Sequence, residues 1–332
     1  MPHFAAAPPI AGLTALVTGG SRGLGLLMAH QLVARGCRVT ILARDGKELA
    51  EAARSLSRPG GPPVGTAVCD VRDQAAVEAA VEEIAAREGG LDLVIGNAGV
   101  IQVGPSASVG HEAFHDAMRT IFDGALNTSL ATLPHLRRSP AGGRLALIGS
   151  VGGLLAVPHL LPYSCAKFAV AALAEGLHAE ESAYGVSVTA VHPGLMRTGS
   201  HLHAQFGGDA PREYAWFSAL AGTPVLSMNA ARAAERIVSG VQRRRPRVVL
   251  TPAAHLAAKA HGLAPVTTTR LSSVLARVLP RDAVGEPGVT EGIAVENGGR
   301  APASRLRKVF SALNDRAAGR LNQYGRAAPP TR

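Results

Sequence analysis

Two polar side chains stand at a spacing that could support proton transfer. Tyr163 and Lys167 are four residues apart in a segment of helical period, so they share one face of the predicted helix. A phenol has a pKa of about 10, so proton exchange near neutral pH needs this pKa lowered by about three, or roughly 4 kcal/mol. An ammonium group close to the phenolate supplies part of that stabilisation. The pair therefore predicts proton transfer by Tyr163, with its phenol acidified by Lys167.

Ser150 is a third candidate for the same chemistry. It precedes Tyr163 by thirteen positions and follows a predicted strand over 144–148, which places its hydroxyl at the carboxyl end of that strand. There the hydroxyl can donate a hydrogen bond to a carbonyl oxygen that is becoming an alkoxide. Capping of a turn is the alternative role for a serine at this position.

A glycine-rich segment, TGGSRGLG over 18–25, follows the first predicted strand and opens the first predicted helix. Gly19 permits the sharp turn, Gly23 lets the backbone approach a pyrophosphate, and Gly25 allows the helix to pack closely on the sheet. The amides at the helix N-terminus then face the phosphates. This succession of strand, glycines and helix predicts a dinucleotide-binding loop.

Short apolar runs rich in β-branched residues alternate with longer segments of helical period, which is the pattern of repeated βαβ units. We expect an α/β fold with a doubly wound, Rossmann-type sheet of seven parallel strands and helices on both faces. The predicted strands cover 13–18, 38–42, 66–69, 91–95, 144–148, 186–191 and 247–251. The predicted helices cover 24–35, 45–57, 73–88, 111–137, 162–184 and 229–242. Ligands should gather at the carboxyl ends of these strands.

The end of the second predicted strand indicates which nicotinamide cofactor fits. An Asp or Glu there would accept hydrogen bonds from a ribose 2′-hydroxyl and repel a 2′-phosphate. This chain has Ala43 and then Arg44, a planar cation suited to a phosphate, and Arg22 in the glycine loop can assist it. The nearby Asp45 weakens this preference. We therefore expect NADP, with NAD less favoured; solvated surface arginines are the alternative interpretation.

Together these motifs resemble those of the short-chain dehydrogenase/reductase family. The resemblance covers residues 10–252 and includes the glycine spacing, Ser150, and the pair Tyr163 and Lys167. Three further motifs follow the same order: Asp70-Val71 after the third strand, Asn97-Ala98-Gly99 after the fourth, and Pro193-Gly194 followed by Thr198.

The resemblance implies an NAD(P)-dependent oxidoreductase that moves a hydride between nicotinamide and a ketone, an aldehyde or a secondary alcohol. It implies catalytic roles for Ser150, Tyr163 and Lys167, with Lys167 also reaching the nicotinamide ribose. Family members usually pair through long helices, which implies a homodimer or homotetramer. With the two arginines added, the expected cofactor-binding residues are Thr18, Gly19, Ser21, Arg22, Gly23, Leu24, Gly25, Arg44, Asp70, Val71, Asn97, Ala98, Gly99, Tyr163, Lys167, Pro193, Gly194 and Thr198.

One position departs from the family pattern. Many members carry a catalytic Asn three residues before a glycine in the fifth helix, where it anchors a water in a proton relay. Alignment on Gly124 places Ile121 at that position. Asn127 lies six positions further along, on a different helical face, so it is not an obvious substitute. The relay to solvent is therefore expected to be rerouted or slow.

The substrate side of the sequence is apolar. The segment 154–162 is rich in leucine and leads to Tyr163, and the stretch 199–224 coincides with the family's mobile substrate lid. This stretch contains four aromatic residues: Phe206, Tyr214, Trp216 and Phe217. We expect a lipophilic substrate in an apolar pocket, although the aromatic residues could instead pack the lid down. His192, His201 and His203 lack nearby carboxylates or cysteines in the sequence, so no metal site is expected.

The C-terminal part of the chain differs in composition from the rest. The net charge is +10, and residues 253–332 hold twelve Lys and Arg against five Asp and Glu. We expect a catalytic domain over 1–252 and a basic, partly helical extension over 253–332, with helices over 253–278 and 302–323 and a linker near 281–299. Aromatic residues are only 4%, which argues against nucleic acid binding. A solvated tail and a peripheral membrane contact both remain open.

The chain has no apolar run of roughly 18 residues, the length of a membrane span, and no N-terminal secretory pattern. The expected location is therefore cytoplasmic.

Three functions are compatible with these features. The first is an NADP-dependent oxidoreductase. The second is a catalytically weak NADP-binding sensor or regulator that acts through the basic tail, suggested by Ile121 and by the long extension. The third is an epimerase or dehydratase of sugar nucleotides, which would share the Tyr and Lys, but the glycine spacing and the short substrate region argue against it.

Overall fold

The computed structural model describes residues 8–223, 226–280, 287–298 and 314–323. The centre of the fold is a seven-stranded sheet in which every pairing is parallel. The described strands are β1 Thr14–Thr18, β2 Arg38–Ala43, β3 Gly65–Val68, β4 Leu93–Gly96, β5 Gln102–Val103, β6 Arg144–Ile148, β7 Ser187–His192, β8 Leu195–Arg197, β9 Gln205–Gly207, β10 Ser227–Asn229, β11 Arg247–Val249 and β12 Val289–Glu291. The described helices are α1 Gly23–Ala34, α2 Gly46–Leu56, α3 Gln74–Glu88, α4 Ser106–Ala117, α5 Gly124–Arg137, α6 Leu161–Glu181, α7 Ala210–Gly222, α8 Ala230–Gln242, α9 Pro252–Leu263, α10 Pro265–Ala276 and α11 Gly292–Asn297.

The sheet strands are apolar on both sides because helices cover both faces of the sheet. Strands β1 and β6 are buried at every position, as expected for the centre of a parallel sheet. One hydrophobic core lies between the sheet and α1, α2 and α8. A second core lies between the opposite face and α3, α5 and α6. This arrangement confirms the predicted doubly wound α/β fold.

The strand order of the sheet is β11-β7-β6-β4-β1-β2-β3. The chain therefore winds outward from β1 to β3 and then returns to the other side of β1 with β4. Such a reversal opens a crevice at the carboxyl ends of the two central strands. The glycine loop follows β1 and the Asn97 motif follows β4, so both border this crevice.

All seven predicted sheet strands are present, and their ends differ from the prediction by no more than two residues. The predicted helix over 111–137 is divided, since a π-helical turn over Met118–Asp123 separates α4 from α5. The sequence did not predict β5, β8, β9, β10 or β12, because runs of two or three residues carry no usable periodicity. It also did not predict α7, which begins at a cap formed by Asp209 inside the expected lid.

Residues after 252 form separate described pieces. Helices α9 and α10 follow each other directly and pack against one another. Strand β12 pairs antiparallel with β9, inside the segment that was expected to be a linker. Residues 314–320 are helical, while the rest of the predicted helix over 302–323 lies mostly outside the described residues. None of the described helices combines the length and apolarity that crossing a bilayer requires.

Candidate active site

A cleft of about 1030 Å³ opens at the carboxyl ends of the sheet strands, beside the reversal of strand order. Small-molecule pockets usually measure about 300–1,000 Å³, so this cleft can accept an extended ligand. It brings together most residues of the predicted set, but Thr18 and Gly25 do not line it. The predicted residues in its lining are Gly19, Ser21, Arg22, Gly23, Leu24, Arg44, Asp70, Val71, Asn97, Ala98, Gly99, Ser150, Tyr163, Lys167, Pro193, Gly194 and Thr198.

The glycine loop is shaped by a close approach between α1 and the end of β1. Gly19 has a φ of +63°, in the left-handed region, and a Cβ there would lie 3.0 Å from the Cα of Ala98. A Cβ on Gly25 would collide with the carbonyl oxygen of Gly19. Gly25 therefore contributes to the cleft through the close packing of α1, without lining the cleft itself.

Thr18 and Asn97 join the two central strands at the floor of the cleft. Thr18 is 2% exposed, and its Oγ1 accepts hydrogen bonds from the backbone amides of Asn97, at 3.0 Å, and Ala98. The Asn97 side-chain amide donates to the carbonyl oxygens of Thr18 and Gly19 at 3.2 and 3.1 Å. Thr18 and Asn97 thus hold the glycine loop and the loop after β4 together, and the cofactor contact expected of Thr18 stays a prediction.

Ser150, Tyr163 and Lys167 meet at the other end of the cleft. The Ser150 Oγ accepts a hydrogen bond from the Gly152 amide at 3.0 Å, so the turn-cap role is real. The same hydroxyl also hydrogen-bonds to the Tyr163 phenol. The Lys167 ammonium is buried, donates to the Ile148 carbonyl oxygen at 2.6 Å, and lies 5.6 Å from the centre of the Tyr163 ring. These three side chains therefore form one connected group.

The pKa of Tyr163 does not follow the expectation from sequence. Burial raises the pKa of Tyr163 above its ordinary value, although the hydrogen bond from Ser150 acts in the opposite direction. Burial also lowers the pKa of Lys167 to about 8. Any stabilisation of the phenolate by Lys167 is therefore not enough to lower the pKa of Tyr163 in the protein alone, because desolvation outweighs the favourable contacts.

The glycine loop also carries an ion pair that the sequence did not predict. Glu48, in the first turn of α2, accepts hydrogen bonds from Arg22 and from Ser21, each at 3.0 Å. Asp45 instead caps α2 by accepting from the amides of Lys47 and Glu48, and these amide contacts lower the pKa of Asp45. Asp45 and Glu48 have the spacing of a helix-capping box, so nothing in the sequence indicated that Glu48 reaches the glycine loop.

Asp70 and Val71 follow β3 on the same side of the cleft. Arg72 binds the Asp70 carboxylate, with a shortest distance of 2.6 Å. Burial acts to raise the pKa of Asp70, but the contacts with Arg72 outweigh it and the pKa lies below its ordinary value. The carboxylate of Asp70 is thus charged and already paired at neutral pH.

Ile121 brings no polar group to the position of the family's asparagine. It is 1% exposed and lies in the π-helical turn, where a Cβ on Gly99 would contact it at 3.7 Å. Asn127 cannot replace it, because its side-chain amide donates to the Val71 carbonyl oxygen at 2.9 Å. Thr120 is the residue of this turn that lines the cleft. The sequence did not single it out.

None of the four aromatic residues of the expected lid lines the cleft, and three of them are buried in a separate core. Phe206, Tyr214 and Phe217 are at most 5% exposed and form a small core with Val295 of α11. Their rings meet edge to face, and the Tyr214 hydroxyl donates to Glu296 at 2.6 Å. Trp216 packs at the edge of this core. The alternative interpretation, in which these residues hold the lid down, is the one that the packing supports.

Several cleft residues come from parts of the chain that carried no motif. His203, Gln205, Glu291 and Gln323 all line the cleft. The pKa of His203 is lowered by burial and by the nearby Arg22. Among the described residues, no group of three or more His, Cys, Asp and Glu side chains could hold a metal ion.

The cleft fits a dinucleotide on three observations. Its volume suits an extended ligand. The first turn of α1 has no side-chain cap; the Gly23 amide donates to the Leu321 carbonyl oxygen, and the amides of Leu24 and Gly25 are the ones placed to meet an anion. Glycine at positions 19 and 25 is required by the packing of the loop, as expected for a tight phosphate-binding turn.

Comparison with known proteins agrees with this geometry. A family model described as short chain dehydrogenase matches residues 13–205. Over 200 residues the chain is 36% identical to a protein of Streptomyces violaceoruber that is named as a granaticin polyketide synthase ketoacyl reductase, and the match covers 58% of this chain and 70% of that protein. The chain is also 34% identical to the 3-dehydrosphinganine reductase TSC10B of Arabidopsis thaliana, over 56% of this chain and 55% of that protein.

A crystal structure of a short-chain dehydrogenase from Streptomyces avermitilis superposes with a TM-score of 0.67 at 25% identity, covering 80% of this chain and 99% of the other. The fold is therefore shared with this structure. The two named reductases match this chain over only 70% and 55% of their own lengths. Their substrates are therefore not assigned to this chain.

We predict that Gly25→Ala destabilises the protein. The added methyl group would collide with the Gly19 carbonyl, and overpacking of this kind costs about 1–3 kcal/mol, sometimes more. Thermal unfolding of the variant measures the loss, and titration with NADPH measures the accompanying loss of binding.

Gly176→Ala is the matched control. Gly176 lies in the interior of α6, where an added methyl group would face open space, so the same change should stabilise the protein by about 0.5–1 kcal/mol. Equal unfolding temperatures for the two variants would contradict the close approach of α1 to the loop.

Proposed function

This chain belongs to the short chain dehydrogenase family of NAD(P)-dependent oxidoreductases, and on that premise we propose that it transfers a hydride between NADP and a lipophilic ketone, aldehyde or secondary alcohol. The observation that carries the proposal is that Ser150, Tyr163 and Lys167 converge at one end of a cleft whose other end is the glycine loop. Proton-transferring groups and a dinucleotide-binding loop thereby share one continuous space.

The side chains of this group divide the proton chemistry between them. A bound cofactor would supply the hydride and, in its oxidised form, a positive charge. The Ser150 oxygen accepts from Gly152, and its hydroxyl is also hydrogen-bonded to Tyr163, so a substrate carbonyl that displaces the second contact would be polarised by the Ser150 proton. Tyr163 then protonates the same oxygen as the alkoxide forms, and it accepts the proton in the reverse direction.

Lys167 supports Tyr163 through its charge. With a pKa of about 8, the ammonium is mostly protonated at neutral pH. The ammonium lies 5.6 Å from the centre of the Tyr163 ring. At this distance its positive charge stabilises a phenolate by Coulomb attraction, because the interior is poorly solvated. The hydrogen bond to the Ile148 carbonyl keeps the ammonium at this place in the cleft floor.

The preference for NADP is supported by the cations around the adenosine end. Arg22 and Arg44 both line the cleft, and Asp45, the acidic residue nearest to β2, is engaged in capping α2. Glu48 opposes the preference, because its carboxylate holds Arg22 and Ser21 and would repel a 2′-phosphate. We propose that Arg44, which is exposed, supplies the main attraction for that phosphate.

The lipophilic character of the substrate is supported by the apolar part of the cleft wall and by the relatives. Val100, Ile101 and Met196 line the same cleft as Ser150 and Tyr163. Two relatives are named as reductases of a ketoacyl group and of 3-dehydrosphinganine, both carbonyl compounds. A ketone on an alkyl or polyketide chain is the substrate class that these features favour.

We also propose a homodimer or homotetramer that works in the cytoplasm. Helices α5 and α6 expose apolar side chains, with Leu130 56% and Phe168 40% exposed. Paired helices of two copies would bury these side chains, as in symmetric oligomers generally.

The extension offers a surface suited to membrane contact. On α10 and the turn after it, Leu271, Val274, Leu275 and Val278 recur at helical spacing and are all more than half exposed. The side of α10 that faces α9 includes Thr268, whose hydroxyl hydrogen-bonds to the His261 ring at 2.7 Å. The apolar face of α10 is therefore exposed to solvent. In most surface helices the apolar face instead packs on the core.

The charge of this helix pair indicates the kind of membrane. Residues 252–278 contain Lys259, Arg270 and Arg277 and no Asp or Glu. Amphipathic helices with cationic flanks lie in the interface of anionic bilayers. We therefore propose peripheral contact of α9 and α10 with an anionic lipid surface.

A catalytically weak NADP-binding sensor is the second candidate function. Ile121 favours it, because this buried apolar side chain removes the usual anchor of the proton relay. The sensor would bind nucleotide in the same cleft and turn over carbonyl substrates slowly or not at all. The oxidoreductase remains our main proposal, since Thr120 and the Lys167 ammonium still bring polar groups to the cleft that holds Tyr163.

We predict that Tyr163→Phe abolishes turnover and retains nucleotide binding. Loss of a general acid lowers the rate by about 10²–10⁴-fold. Consumption of NADPH with a panel of lipophilic ketones measures the rate, and fluorescence titration measures binding. Tyr184→Phe is the control, because Tyr184 is 58% exposed and lies over Arg137. A wild-type chain that binds NADPH without turning over any ketone would favour the sensor; an undiminished rate in Tyr163→Phe would refute the mechanism.

We predict that Arg44→Ala weakens binding of NADPH and leaves binding of NADH almost unchanged. A charge-assisted contact worth about 1.5–3 kcal/mol corresponds to roughly a tenfold to hundredfold change. Glu48→Gln should act in the opposite direction by releasing Arg22. Arg54→Ala removes the same charge from an exposed position of α2 outside the cleft and should change neither affinity. Tighter binding of NADH than of NADPH by the wild-type chain would overturn the assignment.

We predict that the full chain sediments with vesicles of anionic lipid and not with vesicles of neutral phosphatidylcholine. Replacement of Leu271, Val274 and Leu275 by Ser should abolish this binding, because each buried methylene contributes about 0.8 kcal/mol. Leu130→Ser changes an equally exposed apolar residue on α5 and should leave it intact. The membrane proposal fails if the wild-type chain does not bind anionic vesicles. If the triple variant then also dissociates an oligomer, the apolar face of α10 is a contact between protein chains.

A further inference from the structure

The described C-terminal segment 314–323 lies against the cleft and contributes Gln323 to its wall. Residues 314–320 form a helix, and the chain then passes over the glycine loop. Three side chains of this segment are nearly inaccessible to solvent: Asn314 is 1%, Ala318 0% and Gln323 3% exposed. A segment that buries two amide side chains is seated in a specific place, because buried amides need hydrogen-bond partners.

The segment contacts the glycine loop through two hydrogen bonds. The Gly23 amide donates to the Leu321 carbonyl oxygen at 3.0 Å. The Asn322 side-chain amide donates to the Ser21 carbonyl oxygen at 3.1 Å. A Cβ on Gly23 would lie 2.9 Å from the Gln323 side-chain nitrogen, so glycine at position 23 also makes room for this segment.

The same segment contacts the loop that follows Pro193 and Gly194, on the opposite side of the cleft. The Gln323 side-chain amide donates to the Thr198 carbonyl oxygen at 3.0 Å, and the Gln323 carbonyl oxygen bonds to the His203 ring at 2.7 Å. The Asn314 side chain accepts from the Gly199 amide at 2.9 Å and bonds to the His201 ring at 2.9 Å. A Cβ on Gly199 would collide with Ala318.

The segment narrows the entrance without filling the cleft. The cleft measures about 1030 Å³ with the segment in place, and Gln323 forms part of its wall. An inhibitory plug would occupy the ligand volume, whereas this segment spans from one loop to the other.

We propose that residues 314–323 form a clasp that joins the glycine loop to the loop after Pro193 and Gly194 and slows release of the dinucleotide, with Asn314 and Gln323 as positioning residues. The clasp rests on the proposed function, because it presupposes that the cleft binds a dinucleotide. With this proposal, residues 314–323 become part of the cofactor site, although none of the sequence motifs indicated a role for them.

The test compares dissociation of NADPH, and separately of NADH, from three chains: the full chain, residues 1–323 and residues 1–313. Each chain is loaded with the reduced nucleotide and chased with excess oxidised nucleotide, and the decay of fluorescence reports the release rate. We expect release from 1–313 to be at least tenfold faster than from the full chain. Release from 1–323 should match the full chain, since the clasp is intact.

Point variants separate the clasp from a general loss of structure. Gln323→Glu keeps the size of the side chain but replaces the donor to Thr198 with a carboxylate, so it should speed release of the nucleotide. Gln323→Lys retains a donor, so its release should be slower than that of Gln323→Glu. Gln242→Glu is the control, because Gln242 bonds to the Pro8 carbonyl far from the cleft and should not change release. Limited proteolysis without nucleotide should cut within 314–323 faster in Gln323→Glu than in the full chain.

The outcomes distinguish the clasp from the proposed function. Equal release rates from the full chain and from 1–313 would overturn the clasp and leave the proposed function standing. Tighter binding by 1–313 would also overturn it, because the segment would then act as a plug. Failure of every chain to bind either nucleotide would overturn both.

Discussion

The hydrogen bonds between Thr18 and Asn97 hold together the two strands on which the whole cleft depends. Strands β1 and β4 are neighbours in the sheet, but the chain runs through β2 and β3 before it returns to β4. At their carboxyl ends the strands diverge into separate loops, and the Thr18 hydroxyl and the Asn97 amide join these loops across the gap. The glycine loop can therefore turn sharply into α1 while its backbone polar groups stay satisfied, as buried backbone groups require.

Burial dominates the chemistry at the other end of the cleft. It disfavours the charged forms of both Tyr163 and Lys167, so it raises the pKa of the phenol and lowers the pKa of the ammonium. The Ser150 hydroxyl and the Ile148 carbonyl offset part of this cost by direct hydrogen bonds. Proton transfer at Tyr163 thus depends on the polar contacts around the phenol as much as on the charge of Lys167.

The C-terminal extension, which carries a net positive charge, behaves in two different ways. Residues 314–323 bury amide and alanine side chains against the loops of the cleft. Helices α9 and α10 leave their large apolar side chains exposed and bury little beyond Ala254. One part of the extension is thereby integrated with the candidate active site, and the other leaves an apolar surface exposed. Composition could not separate these roles, because both depend on which side of each helix meets the rest of the protein.

The sequence by itself determined the parallel sheet, the helices on both faces and the glycine loop, because the relevant signals are local: buried strands are short apolar runs, helices repeat every 3.6 residues, and sharp turns need glycine. It also placed Ser150, Tyr163 and Lys167 correctly at one end of the cleft, since strand ends and helix spacing follow from the same local rules. Only the tertiary structure decided that Glu48 holds Arg22, that the lid aromatics form a separate core and that Gln323 joins the cleft. Those contacts connect residues far apart in the chain, and their geometry follows from how whole elements pack, which no local spacing encodes.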